Sequence, residues 1–466
     1  MAVPHIKDFL NKRIHMIGIG GSSMSGLARM LHEKGYAITG SDNLETYATK
    51  SLRGLGIDVT IGHRAENVQH ADLVIYTIAI AADNPERMEA DLLGLPQIER
   101  ATLLGQLMEG YPTAIGVCGT HGKTTTTSMI AQILMAENTD PTVHIGGSLD
   151  AIGGSVRIGK GDVFLTEACE FNLSFMHLKP TVAVITNIDE DHLDFFRDIE
   201  HIQSSFGDFL SLVPPDGTAI GNGDDARVNT LFCALACSTV TYGLGTGNDY
   251  HARNLTYNEY GFGDFDVVGN GRMLGHISLQ VGGEFNVYHA LSAAAFANVQ
   301  ALDMRIACEA LGSFTGAKRR FELTGEIDGV KLYHDYGHNP AEMQNAISIA
   351  VKRPHNRVWA VMQPHTYSRV KKMLPRYFTC TQEADITLVT DIYGAREKDP
   401  GDIHTLQIIE GMRKHGVNAV YTPTFDDTEQ YLKEHWQPGD LVLTMGCGNI
   451  NQLNDQINEH EQANKQ

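Results

Sequence analysis

Apolar residues along this chain recur in short blocks, each closed by a glycine-bearing turn and followed by a stretch in which apolar positions return at helical spacing. Such alternation predicts strand, turn and amphipathic helix in succession, and hence open, mostly parallel sheets. Blocks at Arg13–Ile19, Tyr36–Gly40, Val59–Ile61 and Leu73–Ile80 predict strands of a first α/β unit that runs to about Leu107. Ala114–Ile130, AIGVCGTHGKTTTTSMI, reads as strand, glycine loop and helix. Val163–Thr166 and Val182–Ile185 continue that second unit, and Gly283-Glu284-Phe285-Asn286 is expected to open a helix, alanine-rich over Leu291–Ala301, whose first turn carries Asn286 and His289. Val330–His334, Val358–Met362, Ile386–Thr390 and Leu441–Thr444 predict a third sheet, and the polar tail from Asn454 reads as a frayed helix. The expected fold is α/β in about three domains, the first of them Rossmann-like over residues 1–107.

The glycine loop carries the most specific chemistry. Gly119-Thr120-His121-Gly122 turns directly into Lys123-Thr124-Thr125. Backbone N–H groups in such a loop, the positive end of a helix and a lysine together suit the phosphates of a nucleoside triphosphate. The loop is shorter than the general eight-position pattern, which wants glycine where Val117 stands. The first strand is followed by Gly18, Gly20, Gly21 and Gly26, and Asp42 ends the second, about 20 positions on; this is a dinucleotide-type fingerprint, and equally that of a tight strand-to-helix turn without ligand.

Two further strand ends deliver acidic groups toward the same edge. Val163–Thr166 leads to Glu167 and Glu170, and Val182–Ile185 leads to Asp189, Asp191, His192 and Asp194. A hard divalent ion takes one or two carboxylates, water and substrate phosphates, which suits Thr124 and Glu167 with Mg²⁺, or Mn²⁺ in its place; His192 is a softer donor.

Composition narrows the class. A net charge of −20 argues against nucleic-acid binding through a broad basic surface. Seven cysteines without CxxC spacing read as reduced, buried thiols of a cytoplasmic protein, and no apolar run approaches the roughly 18 residues of a membrane span, so no membrane insertion is expected.

GTHGKTTTT, TEACE, TNIDEDHLD, GGEFNVYHALSAAA and HDYGHNPAE, with the N-terminal GIGGSSMSGLA and the later QPHTYSR, resemble in this order the Mur ligases, across essentially the whole chain. The resemblance implies three domains: a Rossmann-like UDP-sugar-binding domain over residues 1–107, a central P-loop-type ATPase domain over 108–317 and a C-terminal Rossmann-like α/β domain over 318–466. It implies ATP-driven amide formation in peptidoglycan synthesis, with small-molecule substrates ATP, UDP-N-acetylmuramate and L-alanine, by a monomer or homodimer. It implies a UDP-sugar site on Gly18, Gly20, Gly21, Ser22, Met24 and Asp42, and an ATP site on Gly119, Thr120, His121, Gly122, Lys123, Thr124, Thr125, Asn286, His289, Arg320 and Asp335. One Mg²⁺ falls to Thr124 and Glu167 and a second in part to His192, the amino acid to Tyr336, His338 and Arg369, and the reacting groups are Lys123, Glu167, His192, His338 and Arg369. Arg319 is the alternative to Arg320 as phosphate sensor, and on spacing alone Asn286 could equally cap its helix. Several relatives hold a second metal with a modified lysine after the His192 motif; this chain has no lysine between Lys179 and Lys318, as in the alanine-adding branch. Thr366 stands where other members have a further arginine. A nicotinamide oxidoreductase would leave Gly119–Thr127 without work, and a nucleotide switch would need no second substrate; the recycling ligase that attaches murein tripeptide is the rival within the family.

Overall fold

The computed structural model describes residues 3–191, 195–395 and 397–464. One compact unit gathers the chain up to Ile188 with Ile202–Asp249 and Ser292–Ala307; a second gathers Tyr250–Leu291, the chain beyond Cys308 and the segment after Ile188.

In the first unit, β1 (Arg13–Ile17), β2 (Ala37–Asp42), β3 (Asp58–Ile61), β4 (Leu73–Tyr76) and β5 (Gln97–Glu99) form a sheet of order β3-β2-β1-β4-β5, parallel throughout. The doubly wound order puts its reversal point at the carboxyl end of β1, where the first glycine turn lies. β4 is shorter than its apolar pattern, because Ile80 N–H closes a turn on Thr77 O and Arg87, stacked 3.9 Å over the Tyr76 ring, donates to Ile80 O.

The same unit holds β6 (Thr113–Cys118), β7 (Thr142–Leu149), β8 (Gly154–Arg157), β9 (Val163–Glu167), β10 (Val182–Ile185), β11 (Thr218–Asn222) and β12 (Ser238–Gly243), ordered β12-β11-β10-β6-β9-β7-β8. All neighbours are parallel except β7 and β8. β6, β9 and β10 are buried runs of the kind that sheets covered on both faces require. Their carboxyl ends lie side by side, since Cys118 pairs with Ile185 and Val117 with Glu167.

In the second unit β13 (Tyr250–Tyr257), β14 (Phe262–Gly269) and β15 (Arg272–Gly282) form antiparallel hairpins. β16 (Glu322–Ile327), β17 (Val330–Asp335), β18 (Val358–Met362), β19 (Ile386–Val389), β20 (Ala419–Tyr421) and β21 (Leu441–Met445) are ordered β16-β17-β21-β18-β19-β20, with only β16 antiparallel.

Several expectations are corrected. The alanine-rich helix opens at Glu284, as expected, but ends at Val299, short of Ala301. Cys233 is exposed and Cys169 and Cys447 are half-buried, so the thiols, all free, are not uniformly core residues. The tail is a docked helix, Asn451–Asn464: Leu453 and Ile457 sit in the core under β17 and β21, and Asn454 donates to Thr324 Oγ1 at 2.8 Å and Tyr333 O at 3.2 Å. Among the described residues no helix is long and apolar enough to cross a membrane.

Ile457→Ala should therefore cost about 2–4 kcal/mol, and Glu459→Ala, on the outer face, close to nothing. Urea unfolding followed by tryptophan fluorescence checks this, since Trp359 belongs to the same core as Ile457.

Candidate active site

The phosphate loop is built by backbone demands. Gly119 has φ +127, and a Cβ there would lie 2.0 Å from Thr186 Oγ1. Gly122, at φ +84, is the N-cap of the helix Lys123–Ala136 and supplies no capping side chain, which leaves the helix's positive end to an outside anion. Asn187 moulds the turn: its Oδ1 accepts from His121 N–H, its Nδ2 donates to His121 O, each at 3.0 Å, and Thr120 N–H donates to its carbonyl.

Lys123 points back into this loop. Its Nζ donates to Gly119 O at 2.6 Å and Thr120 O at 3.0 Å, and lies 3.0 Å from both oxygens of Glu170. Burial would depress the ammonium's pKa, but Glu170 more than offsets it and holds Lys123 above its ordinary range. Glu167 stands at the end of β9 with Oε1 accepting from Gly146 N–H at 2.7 Å. Thr124 is buried at the start of the helix. His192 lies outside the described residues, and among those described no group of three or more His, Cys, Asp or Glu side chains is gathered for a metal.

At the first glycine turn, Gly20 N–H donates to Asp42 Oδ2 at 2.9 Å and Gly18 N–H to Ser41 O at 2.8 Å. Gly21 caps the following helix; Ser22 is exposed on it and Met24 is buried. Beneath the turn Glu86, fully buried, accepts from Ser41 Oγ at 2.6 Å and lies 3.6 Å from His15 Nε2 and 3.4 Å from His63 Nδ1.

The second unit carries its own cluster. Asn286 does not cap: its Nδ2 donates to Gly282 O at 2.7 Å, leaving Oδ1 buried without a hydrogen-bond partner. His289 is buried one turn on. Arg319, at φ +63, is tied into its own sheet, donating from Nε to His334 Nε2 at 3.2 Å and from Nη2 to Gly448 O at 3.3 Å. Arg320 has no such anchor and stacks 5.0 Å over Tyr336. Asp335 accepts from Gly337 N–H at 2.7 Å and Phe321 N–H at 2.8 Å, while burial raises its pKa.

His338 Nδ1 lies 3.2 Å from Glu342 Oε2, and burial, with Arg369 nearby, lowers the ring's pKa despite Glu342. Its ring meets that of His365 edge to face. Arg369, at the start of the helix Tyr367–Tyr377, lies 3.4 Å from His365 Nδ1 and 3.7 Å from Asp191 Oδ1. The turn before it is strained at Thr366, φ +61, and pinned by Thr366 N–H to Tyr393 O at 2.9 Å.

Comparison with known proteins gives the family. Three family descriptions match in order: "Mur ligase family, catalytic domain" over residues 13–112, "Mur ligase middle domain" over 117–297 and "Mur ligase, glutamate ligase domain" over 319–448. The chain is 45% identical over 448 residues to the UDP-N-acetylmuramate–L-alanine ligase of Caldanaerobacter subterraneus subsp. tengcongensis, covering 96% of this chain and 97% of that one. The chain belongs to the Mur ligase family. Its fold is similar to the crystal structure of UDP-N-acetylmuramate-alanine ligase from Thermotoga maritima, with a TM-score of 0.83 at 26% identity over 97% of this chain and 100% of that one. The murein peptide ligase of Psychrobacter arcticus, at TM-score 0.75 and 24% identity over 97% and 98%, shares the fold.

Within this Mur ligase, sequence reasoning brought Glu170 to the site edge without giving it a partner or role, and passed over Asn187. Both stood inside motifs that carried the resemblance, TEACE and TNIDEDHLD, so their position was visible and their partners were not.

A phosphate that engaged Lys123 would compete with Glu170 for the ammonium. Glu170→Gln should tighten ATP binding in the absence of divalent metal by about threefold to tenfold, the difference between a charge-assisted and a neutral hydrogen bond. Isothermal calorimetry checks this; an unchanged or weaker affinity would show that the pair does not hold the lysine back.

Proposed function

We propose that this chain is an ATP-dependent ligase that joins L-alanine to UDP-N-acetylmuramate through an acyl phosphate, in the cytoplasm. The observation that carries the reading is Lys123, held in a closed phosphate loop beside the acidic ends of parallel strands, in a chain so similar along its length to an enzyme of that name.

A carboxylate and an amine do not condense at neutral pH without activation. The lactyl carboxylate attacks the γ-phosphate as the bond to the β,γ-bridging oxygen breaks and ADP leaves, so two anions must meet. Lys123, the loop N–H groups and the uncapped helix end offset that charge and hold the phosphates in line. The oxygen donors Thr124 and Glu167 at adjoining element ends suit one hard divalent ion, and His192 is the proposed partial ligand of a second. Mg²⁺ bound by Thr124 and Glu167 would neutralise phosphate charge in the transition state. Asn286 Oδ1, buried without a hydrogen-bond partner, is the proposed acceptor for an adenine amine, with His289 beside it. Arg320 is the phosphate sensor and Asp335 the ribose contact. The glycine turn with Ser22, Met24 and Asp42 is assigned to the UDP-sugar.

Alanine's amine then displaces phosphate. Tyr336, His338 and Arg369 form the proposed amino-acid pocket, with the guanidinium taking the carboxylate. His338 Nδ1 faces Glu342, which leaves Nε2 as the basic atom of a neutral ring; phosphate oxygens are the alternative acceptor of the amine proton.

Phosphate release measured with ATP, UDP-N-acetylmuramate and either L-alanine or murein tripeptide tests the reading. Release is expected with alanine; release with the tripeptide alone would make the chain a recycling ligase. Lys123→Ala should abolish release while calorimetry still detects UDP-N-acetylmuramate binding. Arg369→Lys should raise the KM for alanine by about 30- to 1000-fold, with the KM for ATP little changed, because lysine cannot form the two-pronged carboxylate pair. A shift in the alanine KM below about twofold would place the carboxylate elsewhere.

A further inference from the structure

Ser23 lies on the helix that follows the first glycine turn, and Thr166 immediately precedes Glu167 on β9. A single buried imidazole joins them. His144 Nε2 is 3.0 Å from Ser23 Oγ and its Nδ1 is 3.2 Å from Thr166 Oγ1. The second contact is fixed by sheet register, since His144 of β7 pairs directly with Thr166 of β9. The first is fixed by close packing: a Cβ on Gly26, one turn along the Ser23 helix, would fall 2.2 Å from Val156 Cγ2 on β8.

The ends of the chain of bonds set its direction. Arg100 Nη1, which can only donate, gives a hydrogen bond to Ser23 Oγ at 3.2 Å. Thr166 Oγ1 donates to Glu167 O at 3.2 Å, and a carbonyl can only accept. Thr166 has thereby spent its proton, so His144 Nδ1 must be the donor to it. A neutral ring then has an acceptor at Nε2, which takes the Ser23 hydroxyl proton. Every bond from Arg100 through Ser23, His144 and Thr166 to Glu167 runs the same way, a condition under which neighbouring hydrogen bonds polarise and strengthen one another. Burial, aided by the Arg100 charge, pushes the His144 pKa down to about 4, so the ring stays neutral across working pH.

β7 reaches Glu167 a second time. Gly146, two residues beyond His144, donates its N–H to Glu167 Oε1 at 2.7 Å. Displacement of His144 thus moves both the backbone and the carboxylate of Glu167.

We propose that His144 is a positioning residue that couples the UDP-sugar turn, through Ser23, to the metal-facing carboxylate Glu167, so that the loop that holds one substrate and the group that serves the other are set by one relay. The proposal rests on the ligase reading for the identity of the two ligands, whereas the relay itself has an observable of its own. Histidine-selective ¹⁵N NMR of the whole protein should show His144 as the neutral Nδ1–H tautomer, without titration between pH 5.5 and 8. An Nε2–H tautomer, or a midpoint near 6.5, would overturn the relay whatever the activity.

The functional arm uses Ser23→Ala and Thr166→Val, which remove one hydroxyl at either end and little volume. Each should raise both the KM for UDP-N-acetylmuramate and the Mg²⁺ concentration for half-activity, by about threefold to tenfold, as loss of one neutral hydrogen bond implies. Calorimetric Mg²⁺–ATP binding to Ser23→Ala should weaken in parallel. If Ser23→Ala moves only the UDP-sugar constant and Thr166→Val only the metal constant, the two ends are independent and the proposal fails. Absence of ligation by the parent protein would overturn the ligase reading, and the tautomer would remain as the separate test of the relay.

Discussion

The ion pair between Lys123 and Glu170 is the constraint on which the central site turns. An ammonium and a carboxylate that are both largely removed from water lie 3.0 Å apart, and either alone would be costly to bury. The lysine also closes the Gly119 and Thr120 carbonyls around itself, so one side chain sets the shape of the loop. In the proposed ligase, ATP would take the ammonium from Glu170 and leave that carboxylate beside the phosphates, where a cation would be drawn.

Parallel register carries this local chemistry to the rest of the fold. β6, β9 and β10 end together, so the turn after each contributes to one edge: the phosphate loop from the first, Glu167 and Glu170 from the second, Asn187 from the third. The C-terminal sheet repeats the plan with β17, β18 and β21, whose ends bear Asp335 and His338, Gln363 to Arg369, and Gly446 to Gly448. In both places apolar strands make the scaffold and the first polar residues past their ends make the site. Buried imidazoles serve as fixed connectors in each: His334, pushed down to about 3 by burial and Arg319, joins Arg319 to Thr444 as His144 joins Ser23 to Thr166.

Much of this was legible in sequence because it is local. The glycine loop, its lysine and the acidic strand ends lie within a few residues of an apolar run, and the three α/β sheets follow from the alternation of such runs. What escaped depends on side chains far apart in the chain. Ser23 and His144 are 121 residues apart, and nothing in either neighbourhood predicts the other. Arg319 and Arg320 are equivalent by type and position; only the left-handed backbone at Arg319 and its bonds to the sheet separate an anchored residue from a free one. The tail looked frayed because it is polar overall, although Leu453 and Ile457, four positions apart, already marked one apolar face. The stop of β4 at Tyr76 depended on an arginine eleven positions on, which no reading of strand propensity includes.

The central claim is that this arrangement phosphorylates a carboxylate before any amine enters. Incubation with ATP, Mg²⁺ and UDP-N-acetylmuramate without alanine, followed by borohydride reduction, tests it most directly, because an acyl phosphate is reduced to the alcohol and a free carboxylate is not. The account predicts the UDP-linked alcohol by mass spectrometry in the parent and its loss in Lys123→Ala. No trapped alcohol from a parent enzyme that goes on to form product when alanine is added would contradict it.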